Sequence, residues 1–205
     1  MWKILARCAS GALPSVGMWI IARASGAALA VALVLSGCMP TNTPTRPSPK
    51  PSGTPIFASE AEALAAATTA YAAYVKVSDE VLADGGKNPE RIEHFASGDA
   101  LNSALAGYGD FRKRGLHSVG VSKIDHISLQ NFSPDSANGG NIVTIYACLD
   151  LTDVNVLNSG GSSAVSPERP SRQPFQVSLG WNESNQQLVV SSRDPWSDGG
   201  VCENE

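Results

Sequence analysis

VTIYACLDLT, residues 143–152, alternates apolar and polar side chains over its whole length. Successive side chains of a β-strand point to opposite faces, so a period of two predicts a long strand with one apolar face. The apolar positions are Val143, Ile145, Ala147, Leu149 and Leu151. The fold is therefore expected to be built around a sheet that contains this strand.

The flanking sequence predicts further strands. Residues 175–181 alternate in the same way, residues 182–185 read as a turn, and residues 188–192 return as the second arm of a hairpin. Upstream, the alternation of residues 119–129 slips near Lys123 and Ile124, which indicates one bulged or bent strand. The stretch between Asn155 and Pro174 is rich in Gly, Ser and Pro and is expected to be a mobile loop.

Helical patterns precede these strands. Ser59 and Glu62 have the spacing of a capping box, and apolar residues recur at helical spacing from there to Gly85-Gly86. Asn88-Pro89 predicts a second helix start, with Asn88 as the N-cap and Pro89 at the first helical position. Residues 97–113 predict a third helix that ends before Gly115. Helices followed by antiparallel strands indicate one α+β domain over residues 59–205, with its helices packed on one face of a curved sheet.

The N-terminal part of the chain has a different character. Residues 24–34 form an uncharged apolar run of about a dozen residues, which suits the apolar region of an export signal and is too short to span a bilayer. Lys3, Arg7 and Arg23 supply positive charge, and Met18 is an alternative start. Residues 40–55 are rich in Pro, Thr and Ser and predict an extended, solvated spacer.

The sequence LSGC, residues 35–38, resembles the lipobox of bacterial lipoproteins. This resemblance implies a diacylglyceryl group on the sulfur of Cys38 and signal cleavage between Gly37 and Cys38. It divides the chain into a signal peptide, residues 1–37, then the lipidated cysteine and linker, residues 38–58, and the domain. The alternatives are an uncleaved anchor, or a buried helix with a chance match.

The lipobox resemblance also implies a location and a set of partners. We expect a lipid-anchored protein on the outer face of the cell membrane, handled by the export and lipoprotein-processing machinery. All 19 acidic residues but only 12 of the 15 basic ones follow Cys38, giving that part a net charge of about −7. Such an acidic balance argues against nucleic acid as a partner, because nucleic acid binding needs clustered Lys and Arg.

The domain itself resembles a known family. The long first helix carries two tyrosines, Tyr71 and Tyr74, and two shorter helices and bent strands follow, as in the nuclear-transport-factor-2-like fold. The sequence Cys148-Leu149-Asp150 and the terminal Cys202 are similar to features of actinobacterial lipoproteins with that fold. The resemblance covers roughly residues 59–202 and implies a cone of sheet closed by the first helix.

Of the four cysteines, the lipobox resemblance assigns Cys8 to the signal and the lipid to Cys38, which leaves Cys148 and Cys202 in the exported domain. A disulfide between these two is expected outside the cytoplasm. It would fasten the C-terminal tail to the sheet. Two buried free thiols are the alternative.

The concave side of the resembled fold often forms a pocket, for which Tyr71, Tyr146, Asp150 and Trp181 are the candidate lining residues. The same residues could form an ordinary core. No common hydrolase or nucleotide-binding signature is present, and His94, His117 and His126 lack metal-ligand spacing. No catalytic residue, metal or cofactor is therefore assigned.

Three functions remain open at this point. The first is a non-enzymatic binding or interaction module for an unknown ligand or protein, which the anchor, the spacer and the missing catalytic signatures favour. The second is a small-molecule enzyme that uses His126 and Asp150 as an acid–base pair inside the cone. The third is an accessory subunit of a membrane complex.

Overall fold

A computed structural model describes residues 55–134 and 141–203. The predicted signal peptide, the lipobox with Gly37 and Cys38, and most of the linker lie outside these residues. The predictions made for them stay predictions. Within the described ranges, no helix has the length and apolar character needed to cross a membrane.

The long first helix, α1, spans Glu60–Ala83 and confirms the predicted helix. Its start differs in one detail from the predicted capping box. The Ser59 hydroxyl accepts a hydrogen bond from the backbone N–H of Glu62 (3.2 Å), but the Glu62 carboxylate accepts from Ala58 N–H (2.8 Å) and not from Ser59. Each side chain still satisfies a backbone donor that the first turn leaves free.

The next two helical segments are shorter. Pro89–His94 is a single stretch of 3-10 helix, and Asn88 before it has a left-handed backbone (φ 48°) and makes no side-chain cap, contrary to the predicted N-cap. The second α-helix, α2, spans Gly98–Arg114 and ends at Gly115 in the left-handed conformation, as predicted. Three basic residues in its last turn, 112–114, lie where cations favour the helix dipole.

Within the described part of the chain, six strands follow the helices. They are β1 (His117–Val119), β2 (Lys123–Phe132), β3 (Asn141–Asp150), β4 (Asn155–Leu157), β5 (Arg172–Asn182) and β6 (Gln187–Pro195). The main sheet has the order β2-β3-β5-β6 and is antiparallel throughout. The predicted central strand and hairpin are confirmed, and so is the α+β class.

Two sequence predictions about the connecting regions were right only in part. The bulge predicted near Lys123 and Ile124 is confirmed by a register shift of β2 between Ile124 and His126, but residues 117–119 form the separate strand β1, which pairs with β4 in a two-stranded sheet. Val121 is 63% exposed and shares no buried face with Val119. The predicted loop 155–174 contains β4, and Arg169 fixes its far side by donating to the carbonyl oxygens of Leu151 (3.2 Å) and Val154 (2.6 Å).

The inner face of the main sheet packs against α1. Val143, Ile145 and Ala147 of β3 are fully buried there, together with Ala63, Ala67 and Tyr71 of the helix. One sheet edge, β6, is closed by the chain between the 3-10 helix and α2. Val190 donates to the Phe95 carbonyl (2.9 Å) and accepts from Ser97 N–H (2.8 Å), so both backbone groups of Val190 are paired at this edge.

The outer face of the sheet is covered by the C-terminal tail. Cys148 of β3 is bonded to Cys202 as the predicted disulfide, and Cys148 is fully buried. Beside it, the ring of Tyr146 packs on Trp196, with ring centroids 4.7 Å apart. The tail therefore buries the polar side of a strand whose alternation predicted one exposed face.

The N-terminal entry into the domain is also held by aromatic contacts. The Phe57 ring lies 6.4 Å from that of Phe132 and 6.1 Å from that of Trp181 (between centroids). Phe57 is only 8% exposed, so the chain is already packed two residues before the Ser59 cap.

Candidate functional site

A cavity of about 240 Å³ lies between α1 and the end of the main sheet where β3 finishes and β5 begins. Val75 and Leu82 of α1, Leu149 of β3 and Phe175 of β5 supply apolar walls. Val156 of the small β1–β4 sheet also lines the cavity. The cavity thus occupies the space where α1 runs beyond the tightly packed centre of the sheet.

A second cavity, of about 220 Å³, adjoins the first between α1 and α2. Both are lined by Tyr74, Ser78, Leu82 and Arg193, so the two spaces meet at these side chains. Their combined volume lies within the range of roughly 300–1,000 Å³ that small-molecule sites occupy.

Arg193 of β6 is the central polar group of this site. Its Nε donates to the Tyr71 hydroxyl (3.1 Å), and its guanidinium carbon lies 3.5 Å from the centroid of the Phe175 ring. These contacts fix the plane of the guanidinium by a hydrogen bond and a cation–π interaction. Among the described residues, Arg193 has no carboxylate within salt-bridge distance.

A β-bulge directs Arg193 into the cavity. Ser178 and Leu179 of β5 pair with Ser192 and Val190 of β6, so Ser191 is the extra residue. Its hydroxyl donates to the Ser178 carbonyl (2.9 Å). In a regular strand, the alternation that places Val190 on the inner face would place Arg193 on the outer face. The extra residue Ser191 shifts this alternation by one position, so Arg193 lies opposite Val177 on the inner face.

Two tyrosines lie beside the guanidinium. Burial raises the pKa of Tyr74 to about 12, with the positive charge of Arg193 opposing the rise. Tyr108 of α2 is 3% exposed, and burial raises its pKa as well, while the nearby Ser78 hydroxyl lowers it. Ser78 does not complete a hydrogen bond of ordinary geometry, so the Tyr108 hydroxyl has no partner among the described residues. Both phenols are therefore neutral at physiological pH.

The other charged groups around the first cavity are already engaged. The Asp79 carboxylate accepts from the backbone N–H and the hydroxyl of Ser122, both at 2.8 Å, which ties α1 to the segment between β1 and β2. One terminal nitrogen of Arg169 donates hydrogen bonds to two backbone carbonyls. Both side chains line the cavity, and both also brace its wall.

The structure does not bring the four predicted pocket residues together. Tyr71 is fully buried under the inner face, whereas Tyr146 and Asp150 alternate onto the outer face. Trp181 is a core neighbour of Phe57 at the far end of β5. The physical reason is the alternation of side chains along β3. Tyr146 and Asp150 each lie two positions from Cys148 and so share its face of the sheet, where Cys148 is bonded to Cys202 and points away from α1.

The alternative acid–base pair is also on the wrong face. His126 pairs with Cys148 across β2 and β3, and directly opposed side chains share a face, so His126 lies on the outer side with Asp150. The Asp150 carboxylate accepts from the hydroxyl and the N–H of Thr152 (2.5 and 2.8 Å), and these bonds lower its pKa. Neither residue lines the cavity. Across residues 55–134 and 141–203, no cluster of His, Cys, Asp and Glu is arranged to hold a metal.

Comparison with known proteins adds little to this geometry. No protein-family model matches the sequence, and no curated protein matches it. Two solved structures are similar in part. They are the intermembrane space region of the chloroplast protein ARC6 (10% identity, TM-score 0.48, covering 66% of this chain and 97% of that one) and Aln2 from a Streptomyces species (18% identity, TM-score 0.39, covering 67% and 91%). Both likenesses are too weak to support an inference about function.

Proposed function

We propose that this protein is a lipid-anchored lipoprotein on the outer face of the cell membrane, whose domain binds a small molecule without catalysing a reaction. The domain is a nuclear-transport-factor-2-like cone, and the ligand site is the pair of cavities that meet at Arg193. The observation that supports the proposal is the pair of adjoining cavities between α1, α2 and the sheet, which share four lining residues and combine apolar walls with a few polar groups.

A catalytic role is less well supported by the same site. General acid–base chemistry at neutral pH needs a group that can exchange a proton there. Among the described residues, the polar side chains lining the cavities are neutral phenols, serines, a glutamine and guanidinium groups besides Asp79. Both oxygens of the Asp79 carboxylate are already hydrogen-bonded to Ser122. Binding and retention of a ligand need no such group.

The binding proposal is tested by filling the cavity. Ser78 lies on α1 and lines both spaces, so Ser78→Trp should block them. The matched control is Ala65→Trp, which places the same side chain at an exposed position of the same helix. Full-length protein in phosphatidylcholine nanodiscs would be screened by ligand-observed NMR against anionic, neutral and cationic aromatic molecules of about ten non-hydrogen atoms.

We expect wild type and Ala65→Trp to bind members of this panel, and Ser78→Trp to lose that binding. Absence of any bound compound, or binding that Ser78→Trp retains, would overturn a ligand site in the cavity. Loss of binding by both tryptophan variants would indicate damage to the helix, which circular dichroism of each variant detects.

The anchor is tested separately. Cys38→Ala removes the sulfur to which the lipid would attach, so the protein should leave the membrane fraction or keep an uncleaved signal. Intact mass measurement distinguishes the two. An unlipidated, cleaved chain that stays in the membrane fraction would contradict the proposed anchor.

A further inference from the structure

We infer that the ligand of this cavity is a monocarboxylate with a compact apolar body, and that Arg193 binds its carboxylate. This inference rests on the proposed binding function and names the chemical class of the ligand. It is carried by the charge of the cavity, the free donors of Arg193 and the unpartnered hydroxyl of Tyr108.

The charge of the cavity is opposite to that of the chain. The protein has a formal net charge of −4, yet Arg193 is the sole charged side chain lining the space between α1 and α2. In the adjoining space, the charged lining side chains are Asp79, Arg169 and Arg193, which leave one net positive charge. A partly buried cation without a carboxylate partner is costly, so this arrangement favours a ligand that brings one negative charge.

The geometry of Arg193 specifies how that charge would be bound. Because Nε is taken by the Tyr71 hydroxyl, the side edge of the guanidinium is engaged. Arg193 lines both cavities, and its two terminal nitrogens make no hydrogen bond among the described residues. They form an end-on fork, which matches the two oxygens of a carboxylate.

Tyr108 supplies a further donor. Its hydroxyl is buried and unpartnered, and a buried hydroxyl without a hydrogen bond destabilises the protein that contains it. Tyr108 and Arg193 line the same space, so the phenol could donate to a ligand oxygen. Leu82, Phe111 and Phe175 supply apolar wall that suits a hydrocarbon body.

A matched series of probes tests the inference: phenylacetate, phenylacetamide, 2-phenylethylamine and phenyl phosphate share one ring and differ in the charge of the head group. Dissociation constants would be measured by ligand-observed NMR titration on the full-length protein in phosphatidylcholine nanodiscs, with protein-free nanodiscs as the blank. Phenylacetate should bind about tenfold to a hundredfold more tightly than the amide, as expected for a charge-assisted hydrogen-bonded pair. The amine should bind least.

Two variants assign this preference to residues. Arg193→Gln should abolish the preference for phenylacetate over phenylacetamide, and Arg193→Lys should keep part of it, because a lysine retains the charge and loses the fork. Arg193 also contacts Tyr71 and Phe175, so Arg193→Gln could fail to fold. Tyr108→Phe removes a hydroxyl that has no partner, should fold normally, and should weaken phenylacetate binding severalfold while leaving the amine unchanged.

The outcomes separate this inference from the broader proposal. Equal binding of phenylacetate and phenylacetamide, both blocked by Ser78→Trp, would overturn the monocarboxylate class and keep the binding function. Tighter binding of phenyl phosphate than of phenylacetate would overturn it in favour of a phosphorylated ligand. A failure of all four probes to bind would count against both the ligand class and the binding function.

Discussion

Removing the disulfide without disturbing the core gives a quantitative test of the fold. Cys202→Ala breaks the bond to Cys148 at its more exposed end, so it opens the crosslink with little loss of packing. The bond closes a loop with a sequence separation of 54 residues. In the chain-entropy treatment, a loop of this length stabilises the folded state by about 4 kcal/mol.

The expected loss is large compared with the stability of an ordinary domain, which is about 5–15 kcal/mol. For a domain of this size, about 4 kcal/mol corresponds to a decrease in Tm of roughly 8–16 °C. The described residues all belong to one compact unit, which suits the measurement. Urea unfolding followed by the fluorescence of Trp181 and Trp196 would report the free energy of unfolding.

Two comparisons make the test specific. Reduction of the wild-type protein should lower its stability to that of Cys202→Ala, and the variant should not respond to reductant. Cys148→Ala should cost more than Cys202→Ala, because Cys148 is fully buried in β3 and its truncation also leaves a cavity. Coincident unfolding curves for wild type and Cys202→Ala would refute the view that the tail is fastened to the sheet by a stabilising crosslink.

Two further predictions concern the cavity and its frame. The pKa of Tyr74 is raised to about 12 in the folded state from an ordinary value of 10.0. The contribution of the neutral Tyr74 phenol to the free energy of unfolding is therefore complete below pH 10 and is lost as the pH rises towards 12. The loss of stability should be at most about 3 kcal/mol. In a spectrophotometric titration, the phenolate absorbance that appears at high pH in wild type should decrease by the contribution of one tyrosine in Tyr74→Phe, while that of Tyr108, whose pKa is also raised, remains. Gly120→Ala should lower the free energy of unfolding by at least about 2 kcal/mol. The φ angle of Gly120 is +86°, and an added Cβ would lie 1.8 Å from the Asp153 carbonyl oxygen. Gly109→Ala is its control in α2: nothing lies within 4 Å, and stability should rise by up to about 1 kcal/mol in thermal unfolding.

Local periodicity was sufficient for the elements that carry their own signal. Helix α1 has a cap at Ser59, a long apolar stripe and a Gly-Gly stop, and β3 alternates without interruption. Both have a signal in the spacing of neighbouring residues, so both could be predicted, although β3 pairs with the distant strands β2 and β5. The same holds for the β5–β6 hairpin, in which a short turn fixes the pairing.

The site could not be predicted because it depends on non-local pairing. The small β1–β4 sheet joins residues almost forty positions apart, and neither three-residue strand has a pattern of its own. The direction of Arg193 depends on the bulge at Ser191, which reverses the parity that simple alternation assigns. Tyr146 and Asp150 were predicted to line the pocket because their side-chain chemistry was suitable. Alternation along β3 places both on the outer face of the main sheet, away from the cavity.

The position of Phe57 has a consequence for how the domain could be presented to its surroundings. Phe57 packs on Trp181 near one end of β5, whereas Phe175 and the cavity lie at the other end, roughly 20 Å away at the usual rise of a strand. The chain that leads from the proposed anchor therefore enters the domain at the end remote from the binding space. A tether attached at that point begins about the length of β5 away from the cavity. The residues of the predicted spacer should then be exchangeable for those of another solvated spacer without a change in ligand affinity.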